Sequence, residues 1–284
     1  MVTCVPGRRA RTELAGGVGA RFADVRWVAE TGSTNADLME LARQGEPGGV
    51  VLVADHQTAG RGRAGRTWTA SPGAALLCSI LLRPPAAAVD LCTMAVAVAA
   101  REAVSSLTGV SARLKWPNDL VWPGDGSAPD RKLAGILAEA DWPASAEISA
   151  GWRTPAPHDR GVVVVGIGLN VQGLPDDLAD LADHAIALDE LTPSPPDRED
   201  LLVAMLEALA PRYEALVAGD RGGLLDAWRA GSATLGRPVR VVLGADEVVG
   251  TAVDITDEGH LIVDPIHGAR RVLAVGDVVH LRSS

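Results

Sequence analysis

The sequence changes its pattern near Gly236, and this change restricts the fold more than any other feature. Before Gly236, apolar segments of strand length alternate with longer segments whose apolar residues recur at helical spacing. After it, short β-branched segments follow one another, separated by turns rich in Gly and Asp, which is typical of a small β-barrel. We therefore predict an α+β domain over residues 24–235, a small β-barrel over 236–284, and a flexible tail over 1–23, where no periodicity occurs.

The alternation predicts individual elements. Strands are predicted at residues 25–29, 50–54, 74–82, 114–116, 120–122, 132–140 and 162–165. Helices are predicted after the N-cap signal Ser33-Thr34-Asn35 and over residues 86–107, 197–217 and 221–230. The barrel strands are predicted at residues 239–243, 247–255, 261–263, 270–274 and 278–281.

Composition excludes several classes of protein. No apolar run reaches the roughly 18 residues of a membrane span, and no apolar segment follows the N-terminal arginines as it would in a secretory signal. The net charge is −10, which argues against a surface for nucleic acid because such a surface concentrates Lys and Arg. Cys4, Cys78 and Cys92 form neither metal spacing nor an even disulfide set, which fits the reducing cytoplasm. Taken together, these features lead us to expect a cytoplasmic protein without a membrane or nucleic-acid partner.

The strongest motif is residues 60–68, Gly-Arg-Gly-Arg-Ala-Gly-Arg-Thr-Trp. Its glycines let backbone N–H groups approach a ligand closely, and its arginines supply forked donors for carboxylate or phosphate oxygens. Trp68 adds an aromatic face for a nucleotide base. No Gly-Lys-Ser/Thr follows, so the motif is not a Walker phosphate loop. A flexible RGG-like RNA segment is the alternative, but the motif occurs once, between apolar strands, in an acidic chain.

Three further motifs are weak when each is taken alone. Lys115-Trp116-Pro117-Asn118-Asp119 places a lysine, an amide and a carboxylate on one turn, but it equally fits a capped surface turn. Lys132 opens the apolar strand Lys132-Leu133-Ala134-Gly135-Ile136-Leu137, where a charge is costly unless it is paired or reaches solvent. Gly166-Ile167-Gly168-Leu169-Asn170 permits close approach to a ligand or to another strand.

Together with Ser33-Thr34-Asn35 and Gln57, these motifs resemble the biotin–protein ligase family in order and spacing. The resemblance covers roughly residues 25–282. It implies a mixed-sheet α+β catalytic domain related to class II aminoacyl-tRNA synthetases, followed by an SH3-like β-barrel. Larger family members carry an N-terminal winged helix that makes them repressors; only about 24 residues precede the first predicted strand here, so we expect the monofunctional type.

The resemblance also implies roles for individual residues. Those implied to bind biotin are Ser33, Thr34, Asn35, Gln57, Gly60, Arg61, Gly62, Arg63, Lys132, Gly135, Ile136, Leu137, Gly166 and Gly168. Lys132 and Arg63 are implied to be catalytic. Those implied to contact ATP or the adenylate are Arg66, Trp68, Lys115, Asn118, Asp119 and Asn170. Lys115 and Asp119 are expected to position the phosphates, Mg²⁺ or the acceptor lysine.

The reaction implied by the resemblance has two steps. Biotin and ATP form biotinyl-5′-AMP and pyrophosphate, and a lysine on the biotin carboxyl carrier domain of a carboxylase then takes the biotinyl group. Mg²⁺ is expected with mostly water and phosphate ligands. The residues leave open whether the protein is a monomer or a homodimer. A lipoate–protein ligase or octanoyltransferase is the nearest alternative, and a biotin-sensing regulator is an alternative of another class.

Overall fold

The computed structural model describes residues 21–124, 128–141, 159–174 and 184–281. Most of the flexible tail predicted over residues 1–23, including Cys4, lies outside these residues, but the prediction is wrong at its end, because Phe22 is fully buried in the main core. The strands of the first sheet are β1 (Asp24–Thr31), β2 (Val50–Gln57), β3 (Ala75–Leu82), β4 (Arg113–Lys115), β5 (Asp119–Trp122), β6 (Arg131–Asp141) and β7 (Val162–Asn170). The α-helices are α1 (Thr34–Arg43), α2 (Cys92–Thr108), α3 (Leu188–Leu191), α4 (Arg198–Val217) and α5 (Gly222–Gly231).

The first sheet has the strand order β1-β2-β3-β7-β6-β5-β4. Its β1 and β2 run parallel, as expected for two strands joined by a helix, and its other neighbours run antiparallel. The sheet is therefore mixed, which confirms the predicted α+β class.

Two predicted elements differ from the structure by more than three residues at one end. Strand β7 continues to Asn170, beyond the predicted end at 165, because its backbone keeps pairing with β3 and β6 through both glycines. The helix predicted from residue 86 begins only at Cys92. Residues 86–88 form a separate 3₁₀ turn, in which the Ala86 N–H donates to the Asp159 carbonyl and not within a helix.

Helices cover the two faces of the sheet unequally. The face that carries Cys78, Ile136 and Ile167 packs against α2, α4 and α5 and forms the main core. On the other face, Leu38 of α1 packs in a smaller core with Val164 of β7. Since α1 is short, it leaves part of this second face uncovered over β6 and β7.

The C-terminal strands form a second, antiparallel sheet. They are β8 (Pro238–Leu243), β9 (Asp246–Ile255), β10 (Leu261–Pro265), β11 (Arg271–Leu273) and β12 (Asp277–His280), in the order β11-β10-β9-β8-β12. This confirms the small β unit expected after the catalytic domain. Its core is continuous with the main core. Gly259, at φ +82°, lies directly against Met94 of α2, where a side chain would collide with the sulfur.

Within the described ranges, the helices include none with the length and apolar character needed to span a membrane.

Candidate active site

A cavity of about 530 Å³ opens on the uncovered face of the first sheet. It lies between the start of α1, the strands β6 and β7, the Gly/Arg loop of residues 60–68, and the start of β12. All of the predicted site residues except Gly60 line it, namely Ser33, Thr34, Asn35, Gln57, Arg61, Gly62, Arg63, Arg66, Trp68, Lys115, Asn118, Asp119, Lys132, Gly135, Ile136, Leu137, Gly166, Gly168 and Asn170. The fold thus brings together residues that the sequence spreads over five segments.

Two glycines on neighbouring strands form the floor of the cavity. Gly135 of β6 and Gly168 of β7 lie directly opposite each other in the antiparallel ladder. The indole of Trp68 lies over both: a Cβ added at Gly168 would come within 2.6 Å of the indole nitrogen, and one at Gly135 within 2.8 Å of the six-membered ring. The close packing of an aromatic ring on bare backbone explains why both positions are glycine.

The Gly/Arg loop is a closed hairpin. The Trp68 N–H donates to the Gly60 carbonyl at 3.0 Å, and the Gly62 N–H donates to the Arg66 carbonyl at 2.6 Å. Ala64 occupies the left-handed region at φ 54°, next to Gly65 at φ 73°. Gly60 is absent from the cavity lining because it closes the base of this hairpin, where its Cα faces the Trp68 carbonyl.

The start of β12 holds the tip of this loop. Asp277 accepts from Arg66 at 2.7 Å, and its other carboxylate oxygen lies 3.6 Å from the Arg63 guanidinium. Arg63 also donates to the Gly276 carbonyl and to Asn118 Oδ1, each at 3.3 Å. The C-terminal unit therefore completes one wall of the cavity.

The ammonium group of Lys132 lies inside the cavity beside a carboxylate. Its Nζ is 2.6 Å from Asp119 Oδ1 and 5.6 Å from the centre of the Trp68 ring. The Lys132 backbone is also held: its N–H donates to His184 O at 2.7 Å and its C=O accepts from Ile186 at 2.9 Å. The pairing with Asp119 offsets the cost of a charge at the start of an apolar strand.

Lys115 lies opposite Asp119 on the β4–β5 pair. Burial lowers the pKa of Lys115; the positive charges of Lys132 and Arg237 act in the same direction, and Asp119 opposes them. The next polar residue of the turn, Asn118, is fixed by a hydrogen bond from its side chain to the Ile136 carbonyl at 2.7 Å. This edge of the cavity therefore places two lysine side chains around the Asp119 carboxylate.

A polar wall closes the opposite end. The Thr34 backbone N–H donates to Gln57 Oε1 at 2.8 Å, and the Thr34 hydroxyl lies 3.0 Å from the same oxygen. Ser33, Thr34 and Asn35 are buried at the start of α1. Such an end offers neutral hydrogen-bonding groups, in contrast to the cationic end at Lys115 and Lys132.

Sequence reasoning missed several residues at the cavity. Asp277 lies 211 positions after its partner Arg66, and no local pattern marks it. Ser79 and Glu139 lie beside the cavity and hold Asn35 in place, but their strands carry no local motif. His184 and Ala185 line the cavity beside Lys132 and follow a segment without a motif.

A network of buried polar groups joins the two sheets behind the cavity. Asp130 accepts from His280 Nδ1 at 2.6 Å and from Arg237 at 2.9 Å. Burial alone would raise the pKa of Asp130, but hydrogen bonds from His280 and Gly124 and the charge of Arg237 lower it to about 2. These contacts fix β12, and with it Asp277, relative to β6.

The sequence comparisons agree with this arrangement. A family model described as "Biotin/lipoate A/B protein ligase family" matches residues 28–146, and one described as "Biotin protein ligase C terminal domain" matches residues 234–281. The "Biotin--[acetyl-CoA-carboxylase] ligase" of Mycobacterium tuberculosis is 39% identical over 284 aligned residues, which cover 97% of this chain and 95% of the relative. The chain belongs to the biotin protein ligase family. It is a ligase, and the resemblance of its motifs is confirmed.

Other family members show the same relationship at lower identity. The "Bifunctional ligase/repressor BirA" of Bacillus spizizenii is 28% identical, with 94% of this chain and 78% of that protein aligned. A solved structure described as "Biotin protein ligase from Aquifex aeolicus in complex with biotin and ATP" has 26% identity and a TM-score of 0.72, covering 92% of this chain and all of that one. The whole length of the Aquifex ligase thus has a counterpart in this fold.

Proposed function

We propose that this ligase forms biotinyl-5′-AMP from biotin and ATP and then transfers biotin to a lysine of a biotin carboxyl carrier domain. The observation that carries the proposal is the polarity of one continuous cavity. Neutral groups at Thr34 and Gln57 lie at one end, a glycine floor under Trp68 lies in the middle, and the Lys132–Asp119 pair lies at the other end. Biotin has the matching sequence of a neutral ureido ring, an apolar chain and a carboxylate.

The neutral end suits the ureido ring. That ring presents N–H donors and a carbonyl acceptor but no charge, so hydroxyl and amide groups match it better than ionised side chains do. Leu137, on the same face of β6 as Gly135, supports the apolar chain. We assign Ser33, Asn35, Gly166 and the backbone of Ile136 to the same biotin site.

The cationic end suits the first chemical step. The biotin carboxylate attacks the α-phosphorus of ATP and displaces pyrophosphate, so two anions must approach each other. The Lys132 ammonium stabilises the negative charge shared by the carboxylate and the α-phosphate in the transition state. Asp119 holds this ammonium in position at 2.6 Å before the substrates arrive.

The remaining arginines and amides suit the nucleotide. We assign Arg66 to the phosphates and Trp68 to the adenine, with Asn118 and Asn170 as further adenylate contacts. The Trp68 indole N–H is buried and has no hydrogen-bond acceptor among the described residues, so it can donate to a bound substrate. Lys115 adds a second ammonium at the phosphate edge.

We expect Mg²⁺ only as the ion that is bound to the ATP phosphates. The described residues contain no group of three His, Cys, Asp or Glu side chains able to hold a metal ion. Asp119 and Asp277, which line the cavity, are each paired with a cation. We therefore assign no chemical step to a metal held by the protein.

The second step requires that the mixed anhydride be protected from water until a carrier lysine attacks it. The loop of residues 60–68 lies over the cavity and is held at its tip by Asp277. Opening of this loop admits substrates, and its closure retains the adenylate. The acceptor ε-amine attacks the carbonyl carbon, AMP leaves, and an amide bond forms.

Two alternatives make different predictions. The first family model includes lipoate ligases, but the C-terminal match and the M. tuberculosis relative favour biotin. A biotin-sensing regulator needs no Lys132–Asp119 pair at the cationic end. The net charge of −10 disfavours a nucleic-acid partner, and the free, buried thiols of Cys78 and Cys92 favour a reducing compartment such as the cytoplasm.

Isotope exchange between pyrophosphate and ATP tests the first step directly. We expect exchange that requires biotin and that neither lipoate nor octanoate supports. Exchange that is faster with lipoate would favour the alternative ligase, and binding of biotin without any exchange would favour the regulator.

A further inference from the structure

The carboxylate of Glu139 connects the Gly/Arg loop with the neutral end of the cavity. One oxygen, Oε2, accepts from Asn35 Nδ2 at 2.9 Å and from the Arg61 guanidinium at 2.8 Å. Glu139 follows Gly135 and Leu137 on the cavity face of β6, because side chains alternate along a strand. Its side chain is 28% exposed, so it is partly shielded from solvent.

Glu139 and the Leu137 carbonyl together determine which way the Asn35 amide points. The two hydrogens of Asn35 Nδ2 are directed at acceptors, the Leu137 carbonyl at 3.1 Å and Glu139 Oε2. A carboxylate can only accept, so the amide nitrogen and not the amide oxygen must face it. Asn35 Oδ1 is consequently directed at Ser79 Oγ, which lies 2.6 Å away.

The orientation of Asn35 then determines to which acceptors the hydroxyl groups of Ser79 and Thr34 donate. Asn35 Oδ1 has no proton, so Ser79 must donate its single proton to it. Ser79 can therefore only accept from Thr34, whose Oγ1 lies at 2.7 Å. The one Thr34 proton is directed at Ser79 or at Gln57 Oε1, which is 3.0 Å away. Among the described residues, no donor is left for the lone pairs of Thr34 Oγ1.

We propose that Glu139 is a positioning residue for biotin, which acts through Asn35 and Ser79 to present Thr34 Oγ1 as an acceptor for a ureido N–H. The inference rests on the proposed function. Glu139 also forms an ion pair with Arg61 of the Gly/Arg loop. The position of the loop and the polarity of the biotin pocket therefore depend on the same carboxylate. Thr34 is only 3% exposed, and an unmatched acceptor there is costly unless a ligand fills it.

Glu139→Gln is the decisive substitution, since glutamine keeps the shape but has only one acceptor oxygen for the two donors Asn35 and Arg61, and its N–H₂ group can donate to Asn35 Oδ1. Asn35 is then oriented by the Leu137 carbonyl alone, and in the other orientation, which turns Oδ1 toward that carbonyl, Ser79 is free to donate to Thr34. We expect the KM for biotin in adenylate formation to rise about tenfold, the effect of losing roughly one hydrogen bond, with kcat and the KM for ATP changed less than twofold.

Two further variants separate positioning from a general structural effect. Ser79→Ala removes the link between Asn35 and Thr34, and if both residues act through one network, the double variant should have a KM for biotin close to that of the worse single variant. Glu102→Gln is the matched control, because Glu102 pairs with Arg212 at 2.6 Å outside the cavity. It should leave all three kinetic constants unchanged.

Each outcome has a defined meaning. The role of Glu139 is supported if Glu139→Gln raises the KM for biotin and if the double variant with Ser79→Ala has no higher KM than the worse single variant. An unchanged KM for biotin, effects that multiply independently, or an equal change in Glu102→Gln overturns it. Wild-type protein that forms no biotinyl-AMP at all overturns the proposed function instead, and is recognised before any variant is compared.

Discussion

The Asp277 carboxylate accepts a hydrogen bond from the Arg66 guanidinium at 2.7 Å, although the two residues are 211 positions apart in the chain. Arg66 lies at the tip of the Gly/Arg loop, and Asp277 begins β12. The side chains are 62% and 45% exposed, so this pair alone adds little to stability. Its consequence is geometric: the C-terminal unit holds the loop over the cavity.

Asp277→Asn should loosen the loop without unfolding the protein. We expect the KM for ATP to rise about three- to tenfold, because Arg66 and Arg63 lose the anion that orients them, while thermal stability changes little. Steady-state kinetics at varied ATP checks this. Asp264→Asn is the control, since Asp264 pairs with the exposed Arg270 at 2.6 Å in the same sheet; an equal effect in both variants would refute a specific role of Asp277.

Arg63→Gly should keep the first step but release biotinyl-AMP into solution. The loss of charge-assisted contacts of Arg63 costs about 1.5–3 kcal/mol, which shortens the residence of the intermediate by roughly one to two decades. Escaped adenylate acylates lysines of any protein, and the chain itself offers only Lys115 and Lys132. Mass spectrometry of an inert bystander protein measures the leak; labelling confined to the carrier would show that Arg63 does not retain the intermediate.

Gly168→Ala should displace the Trp68 indole, because the new Cβ would come within 2.7 Å of the ring. Overpacking of this kind costs about 1–3 kcal/mol, and we expect weaker binding of both substrates together with a lower urea midpoint. Isothermal titration with biotin checks the binding. Gly173→Ala is the control, since nothing lies within 4 Å of its added Cβ; wild-type affinity in Gly168→Ala would mean that the cavity tolerates a moved indole.

The motifs and the fold class could be predicted from the sequence, but the connections between motifs could not. Trp68 stands in a conspicuous local pattern and Lys132 in a weak one, so their placement in one site follows only from the family resemblance of all the motifs together. Ser79 is a single serine in an otherwise apolar strand, where nothing local distinguishes a hydrogen-bonding role from an ordinary buried residue. Asp277 acquires its role only when β12 reaches the loop, and that contact depends on tertiary packing.

His280 should make stability depend on pH near neutrality. Burial lowers the pKa of His280, and the charges of Arg237 and Lys115 act in the same direction, although Asp130 opposes them. Thr234 Oγ1 lies 3.2 Å from Nε2 and accepts from the Trp116 N–H, so its own proton can serve a neutral imidazole. Because folding lowers the pKa of His280, the folded protein favours the neutral imidazole. The contribution of His280 to stability is therefore complete above about pH 6.5, the pKa of an unfolded histidine, and is lost as the pH falls through the lower pKa of the folded protein.

Urea unfolding of the wild type at pH 8 and pH 5.5 tests this linkage. The free energy of unfolding should be lower at pH 5.5, and His280→Gln should show a smaller difference between the two values. A difference of the same size in the variant would assign the pH dependence to other groups. Asp130, with its pKa of about 2, adds a separate loss only between about pH 4 and pH 2.

Lys132→Ala should reduce adenylate formation far more than it weakens biotin binding, since the ammonium acts most strongly as the two anions react. We expect kcat for the first step to fall at least a hundredfold while the dissociation constant for biotin rises less than tenfold. Rapid-quench measurement of biotinyl-AMP beside isothermal titration separates the two quantities. A variant with near wild-type turnover would rule out the assigned role.

The most direct test of the account is the intact mass of a purified biotin carboxyl carrier domain after incubation with this ligase, biotin and ATP. We expect a gain of one biotinyl group, at the acceptor lysine only, that requires ATP and disappears when that lysine is replaced by arginine. A carrier of unchanged mass in the presence of active substrates, or a gain that does not depend on ATP, would contradict it.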